Sequence, residues 1–329
     1  MPPILADAPA PPLETGLETC HDTLGDPIDC EGSGQDAETK PGLPWPEPRF
    51  TEAGDGLVRD ELTGLIWPRS ANPLDFPMSW ADALERVRQW NDSTHLGRDD
   101  WRLPNRRELR SLVSHGARKP ALPGGHPFEN VFLGWHWTST TSAMSPEYAW
   151  NVHLEGGRMF YSRKTEDRLA WPVAGESRVL PRTGQTECFD PEGNVIACIG
   201  TGQDGELRRG VEVLDQLTGL VWKTNADMAG SLLSWEQALE AVAMLRTQSG
   251  LPWRLPTINE LESLVDASSH SPALPEKHPF FGVGEAYWSS TTSFFETDWA
   301  YVLYMHKGAV GVGHKPRPEF TCLAVRYNL

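Results

Sequence analysis

Cys20 and Cys30 stand ten residues apart, and Cys188 and Cys198 repeat the interval. Thiols paired at one spacing offer two chemistries, a disulfide or half of a metal site. Structural zinc wants four ligands, and two Cys without nearby His or Cys partners fall short of that. The stretch "FDPEGNVIA" between the second pair holds a Pro-Glu-Gly-Asn turn flanked by strand-like residues. Such a hairpin brings the two sulfurs together. The spacing predicts Cys20–Cys30 and Cys188–Cys198 disulfides, and with them an oxidising compartment. Cys322 is left over and is expected inside, as a small apolar residue.

A charged pair comes next. "WRLPNRREL" (101–109) returns as "WRLPTINEL" (253–261), so Arg102 and Glu108 have counterparts in Arg254 and Glu260. A guanidinium beside a carboxylate is a candidate catalytic pair. Construction accounts for the same residues without chemistry. Pro104 and Pro256 cannot sit inside a helix, so one starts just after each. Asn105 and Thr257 are good N-caps, and Glu108 and Glu260 complete capping boxes three places on. Leu109, Leu112 and Val113, with Leu261, Leu264 and Val265 in the second copy, then form a buried stripe. We take this structural reading.

Other reactive groups are sparse. His126 and His278 sit singly in a repeated "HPF" and read as loop anchors. There is no HExxH, no GxSxG and no P-loop, and an enzyme is not expected. Clustered carboxylates suit a hard cation. Asp55 and Asp60 in "GDGLVRD", and Glu296 and Asp298 in "FETD", are the calcium candidates. No cofactor is required; calcium is an optional one.

The elements that must position these residues come in two sets. "DELTGLIW" (60–67) matches "DQLTGLVW" (215–222), "SWADALERV" (79–87) matches "SWEQALEAV" (234–242), and "HWTSTTS" (136–142) matches "YWSSTTS" (287–293). "TGLETC" (15–20) and "GSGQDAE" (32–38) match "TGQTEC" (183–188) and "GTGQDGE" (200–206). Such a repeat fixes the architecture before any single element does. It gives a Pro-rich acidic leader at 1–14, a first repeat at 15–174 with its core domain from about 49, a short linker at 175–182 and a second repeat at 183–329. Within a repeat, a β-hairpin is followed by a helix capped by Ser79 or Ser234, then a second helix, then alternating strands turning at Gly156-Gly157 or Lys307-Gly308. Helices early and strands late predict an α+β unit.

The net charge is −16, and the first 48 residues hold ten acidic side chains against one basic one. An acidic chain lacks the basic surface that nucleic acid needs. No apolar run approaches the ~18 residues of a membrane span, so no membrane insertion is expected. The start of the sequence lacks the basic and apolar stretches of a secretory signal. An extracellular, surface or periplasmic location would then imply a leader already removed. The chain also holds 14 tryptophans, a usage that points to aromatic cores or aromatic binding surfaces.

"TGLIW", "SWADAL", "DWRLPNRREL", "WTSTTS" and the closing "AWPV" or "LAVR" together resemble the C-terminal domain family of the Legionella collagen-like protein. The resemblance covers both repeats. That family is common in bacterial surface and secreted proteins and is related to the C-type-lectin-like fold, shared with formylglycine-generating enzymes. It implies two tandem lectin-like domains, each with a small twisted antiparallel sheet, two helices and a loop-rich ligand face. The first repeat departs from the pattern at Ala174, where Arg326 stands in the second.

Three functions follow from this. The leading one is a non-catalytic secreted or surface binding protein, with glycan or protein ligands and adhesion as its use. The resemblance places the ligand face in the loops around Trp135, His136 and Glu147, and around Glu285, Phe294, Phe295, Glu296 and Asp298. "SFFETDW" stands out, because two adjacent Phe cannot both point inward on a regular strand. The alternative is a subunit of an extracellular filament or other self-assembly, with the leader reaching into a neighbour. A formylglycine-generating enzyme comes last, since relatives with that chemistry use paired cysteines near the C-terminus and only Cys322 stands there.

Overall fold

The computed structural model describes residues 8–190, 192–196 and 214–328. It is a mixed α/β structure in which short sheets dominate and helices are few. The chain forms two compact units. One comprises the described residues of 45–113 and 118–207, around the core of the first repeat; the other comprises those of 1–44, 114–117 and 208–329, around the core of the second.

In the first-repeat unit, strands Phe50–Gly54, Leu57–Asp60 and Ile66–Pro68 make an antiparallel sheet, with Val58 opposite Trp67. The turn before the last strand is built by Asp60, which accepts from the Leu62 amide and the Thr63 hydroxyl. Ser79 caps the helix Trp80–Asp92, whose Trp80, Ala83 and Val87 are buried at the expected spacing. The short helix Arg106–Ser111 follows. An antiparallel meander, Trp135–Thr141, Tyr148–His153 and Met159–Arg163, completes the core. Its second turn uses Gly157 at φ 70°, a left-handed conformation that suits glycine.

The second-repeat unit has the same parts. Strands Leu214–Asp215, Leu220–Trp222 and Val325–Tyr327 form the first sheet. Ser234 caps the helix Trp235–Ser249 with a full capping box to Gln237, and Thr257 caps Ile258–Ser263. The meander is Tyr287–Thr292, Trp299–Tyr304 and Ala309–His314.

Tryptophan is prominent in both cores, and two indoles of each unit donate to matching carbonyls. Trp80 donates to the Thr138 carbonyl (2.9 Å) and Trp235 to the Ser289 carbonyl (2.7 Å). Trp137 donates to the Met78 carbonyl (2.9 Å) and Trp288 to that of Leu233 (2.8 Å). All four are essentially fully buried. Each removes about 200 Å² from water, worth at most about 5 kcal/mol at ~25 cal/mol/Å².

Cys20 and Cys30 form a disulfide across strands Cys20–His21 and Pro27–Ile28. Cys188 is buried in the matching hairpin Cys188–Phe189 and Val195–Ile196. Its expected pairing with Cys198 lies outside the described residues. Cys322 is free and buried, as expected.

The Cys segments differ from the sequence reading in their placement. That reading put 15–44 with the first repeat and the segment from 183 with the second. The structure groups residues up to Pro44 with the second core and the segment from 183 with the first. The repeat pattern pairs one segment with each core but does not say which one. The described part of the leader packs despite its Pro-rich composition: Ala10 and Leu13 are buried, as is Leu17 just beyond it. The Leu43 amide donates to the Pro12 carbonyl at 2.7 Å, closing this stretch on itself.

Candidate functional site

The repeated Arg–Glu pair is internally saturated. Glu108 accepts from the Asn105 amide (2.8 Å) and from both terminal nitrogens of Arg102 (2.6 Å each). Arg102 also donates to the Gly175 carbonyl at 2.7 Å. Glu260 accepts from the Thr257 amide (2.9 Å) and from Arg254 at 2.6 and 2.5 Å. Burial disfavours the Arg254 charge, but Glu260 more than compensates and holds its pKa above the usual guanidinium value. One carboxylate thus closes the helix cap and fixes the arginine. This arrangement ties the strand, the cap and the helix together.

A second repeated constellation was missed by sequence reasoning. Lys164 and Lys315 are fully buried. The Lys164 amine donates to the carbonyls of Phe189 (2.8 Å) and Asp190 (2.9 Å) and lies 4.1 Å from the Trp80 ring centre. The Lys315 amine donates to those of His21 and Asp22 (3.1 Å each) and lies 4.1 Å from the Trp235 ring centre. Burial pulls the amines down to about 8 and about 7 respectively. Each lysine therefore holds one Cys hairpin against the capped helix of one core. The signal was in the sequence: both follow a strand residue just before a charged turn, in "SRKTEDR" and "GHKPRPE".

Asp36 adds to the hold on the second core. It is fully buried and accepts from the Thr291 hydroxyl at 2.7 Å, and burial pushes its carboxyl up to about 6. Thr291 in turn accepts from the Ile258 amide at 3.1 Å. Thr140 does the same for Arg106 in the first core (3.0 Å). Asp204, the sequence counterpart of Asp36, lies outside the described residues.

The residues expected to bind ligand separate into buried and open sets. His136 is fully buried, its Nδ1 3.0 Å from the Gly134 carbonyl, and burial takes its pKa down to about 4. Such a neutral core imidazole cannot meet a ligand, which corrects the expectation from sequence. Trp135, its neighbour, points the other way and is half-buried. Its ring lies edge-on to His153 (4.6 Å between centres) and to Phe160 (6.3 Å). Phe132 and Leu133, just before it, are exposed. Glu147 is half-buried, and its carbonyl accepts from the Lys164 amide at 2.9 Å.

In the second core, Glu285 and Glu296 are exposed, and Phe295 and Asp298 are half-buried. Asp298 pairs with His314 at 3.3 Å. Phe294 packs against the cluster of Leu17, Cys20 and Ala37. The two-Phe puzzle resolves there. The segment lies between strands rather than in one, and the Cys20–Cys30 hairpin covers the first ring.

The calcium candidates do not converge. Asp60 is fully buried and spends its carboxylate on Arg49 (3.3 Å) and on its own turn, while Asp55 is exposed. Among the described residues, no group of three or more His, Cys, Asp or Glu side chains is placed to hold a metal ion. No helix among them is long and apolar enough to cross a membrane.

The family model for the Lcl C-terminal domain matches residues 56–174 and again 211–326. The chain belongs to the Lcl C-terminal domain family, with two tandem copies. The matched ranges coincide with the two cores that share the Trp, Arg–Glu and Lys arrangements; the Cys segments lie outside them. No curated protein and no solved structure matches the chain.

Proposed function

We propose that this Lcl-family protein is a non-catalytic, secreted or cell-surface binding protein, used for adhesion to a glycan or protein ligand. The observation that carries the reading is the half-open aromatic cluster of Trp135, His153 and Phe160, beside exposed Phe132 and Leu133. Aromatic side chains on a rigid sheet are the common anchors of binding surfaces, and contiguous exposed apolar area marks interaction sites.

The cluster belongs to the first core. With Trp137 aligned to Trp288, its three positions are occupied by Ala286, Tyr304 and Gly311 in the second. We assign the ligand to the first repeat and read the second as a structural copy. A lectin-like relationship of the fold, expected from the sequence motifs, suits this assignment. The Cys20–Cys30 disulfide supports an oxidising, extracellular location. So does membership of a family implied to be common on bacterial surfaces.

The test is binding of the intact chain to immobilised glycans and to extracellular proteins, with calcium and then with EDTA. Saturable, specific binding supports the reading. Silence in both conditions overturns it. Binding lost in EDTA would add a calcium ion to the site.

A further inference from the structure

The order along the chain is Cys segment, core, Cys segment, core. The first core takes the segment that follows it: Lys164 grips Phe189 and Asp190, and the Gln185 side chain accepts from the Thr141 amide at 2.9 Å. The second core takes the segment at the opposite end of the sequence. Lys315 grips His21 and Asp22, Thr291 holds Asp36, and the Thr297 hydroxyl donates to the Gly25 carbonyl at 2.8 Å. The second core is therefore completed by a segment joined to it through the chain only at a distance, and both cores use the same lysine-on-tryptophan grip.

We propose that the 10–43 segment is exchangeable between copies, so that the partner of the second core is the Cys20–Cys30 segment of a second molecule of this chain. The first core already shows the rule that a core takes the segment following it. Applied from one copy to the next, that rule puts the leading segment of each molecule on the second core of its neighbour, with every contact kept. Exchange in one direction builds a head-to-tail chain of molecules, open or ring-closed according to the rotation between copies. The contacts are the same in both forms. What differs is the effective concentration of the segment, which is set by the long stretch of chain between it and the second core. Residues 44–48, Pro-Trp-Pro-Glu-Pro, join the segment to the first core.

Asp26→Cys and Glu296→Cys test this in the full-length chain. Both native side chains are exposed, and they flank the Gly25–Thr297 contact. Cys322 stays silent toward maleimide, because it is buried and burial pushes its thiol up to about 12. The double variant, treated with a short bis-maleimide when dilute, should give a product of one chain. A mixture of the two single variants, concentrated or refolded together and then treated, should give a two-chain product. Its yield should rise with concentration relative to the one-chain product of the double variant. A mixture that gives no two-chain product at any concentration overturns exchange. A double variant that links neither within nor between chains overturns the docking itself.

Discussion

The amine of Lys315 lies 4.1 Å from the ring centre of Trp235 while donating to two carbonyls of the Cys20–Cys30 hairpin, and Lys164 repeats the geometry over Trp80. A lysine normally keeps its charge in water. Here it is the fastener between a disulfide-bearing segment and a helix start. The aromatic face and the two acceptors are what make its burial tolerable.

Lys315→Met keeps the stem against Trp235 and leaves two carbonyls without their donor. It should cost about 1–3 kcal/mol and expose the 15–44 segment to limited proteolysis while the second core still unfolds cooperatively. Unchanged proteolysis would show that the lysine is not what holds the segment.

The same lysine sets a pH dependence. Its folded pKa is about 7 against an ordinary 10.5. Between those values the unfolded chain binds more protons than the folded one, so stability from this group rises with pH across that window. The penalty for burying the charge is fully present below it. Lys315→Met should flatten the slope of melting temperature against pH between neutrality and mild alkali.

Asp36 works in the opposite sense. Its carboxyl is pushed from 3.8 up to about 6, so between those values the folded state holds more protons. Its contribution to stability therefore falls as pH rises through that window. Asp36→Asn keeps an acceptor for Thr291 without a charge. The variant should melt above the parent at neutral pH, and the difference should vanish below about pH 4. Calorimetry across that range checks it.

Removing Arg254 leaves Glu260 buried without its partner. Arg254→Met should cost about 3–5 kcal/mol in denaturant unfolding, far more than an exposed ion pair such as Arg88–Glu85 would. Arg254→Lys should recover only part, because the bidentate fork is lost.

Much of the fold was legible because its signals are local. Asn105 and Glu108, or Thr257 and Glu260, announce a helix start within four residues, and both capping boxes form. Ser79 and Ser234 announce the long helices, and ten-residue spacing announces the Cys20–Cys30 disulfide. The pairing of segment with core is a long-range fact, and a repeat carries no information on which copy meets which. Lys164 and Lys315 were passed over because lysine in a charged turn reads as solvated surface. His136 and Trp135 are adjacent on one strand and face opposite sides. Only the sheet's placement decides that the tryptophan is the open one.

The most direct test of the binding account is a titration of the ligand selected from the immobilised glycans and extracellular proteins into the parent chain and into Trp135→Ala. The account predicts that the variant keeps the parent's cooperative unfolding and loses tenfold or more in affinity, at least the ~1.4 kcal/mol that marks an anchoring aromatic. Equal affinity in the two proteins would contradict it and move the ligand away from the Trp135, His153 and Phe160 cluster.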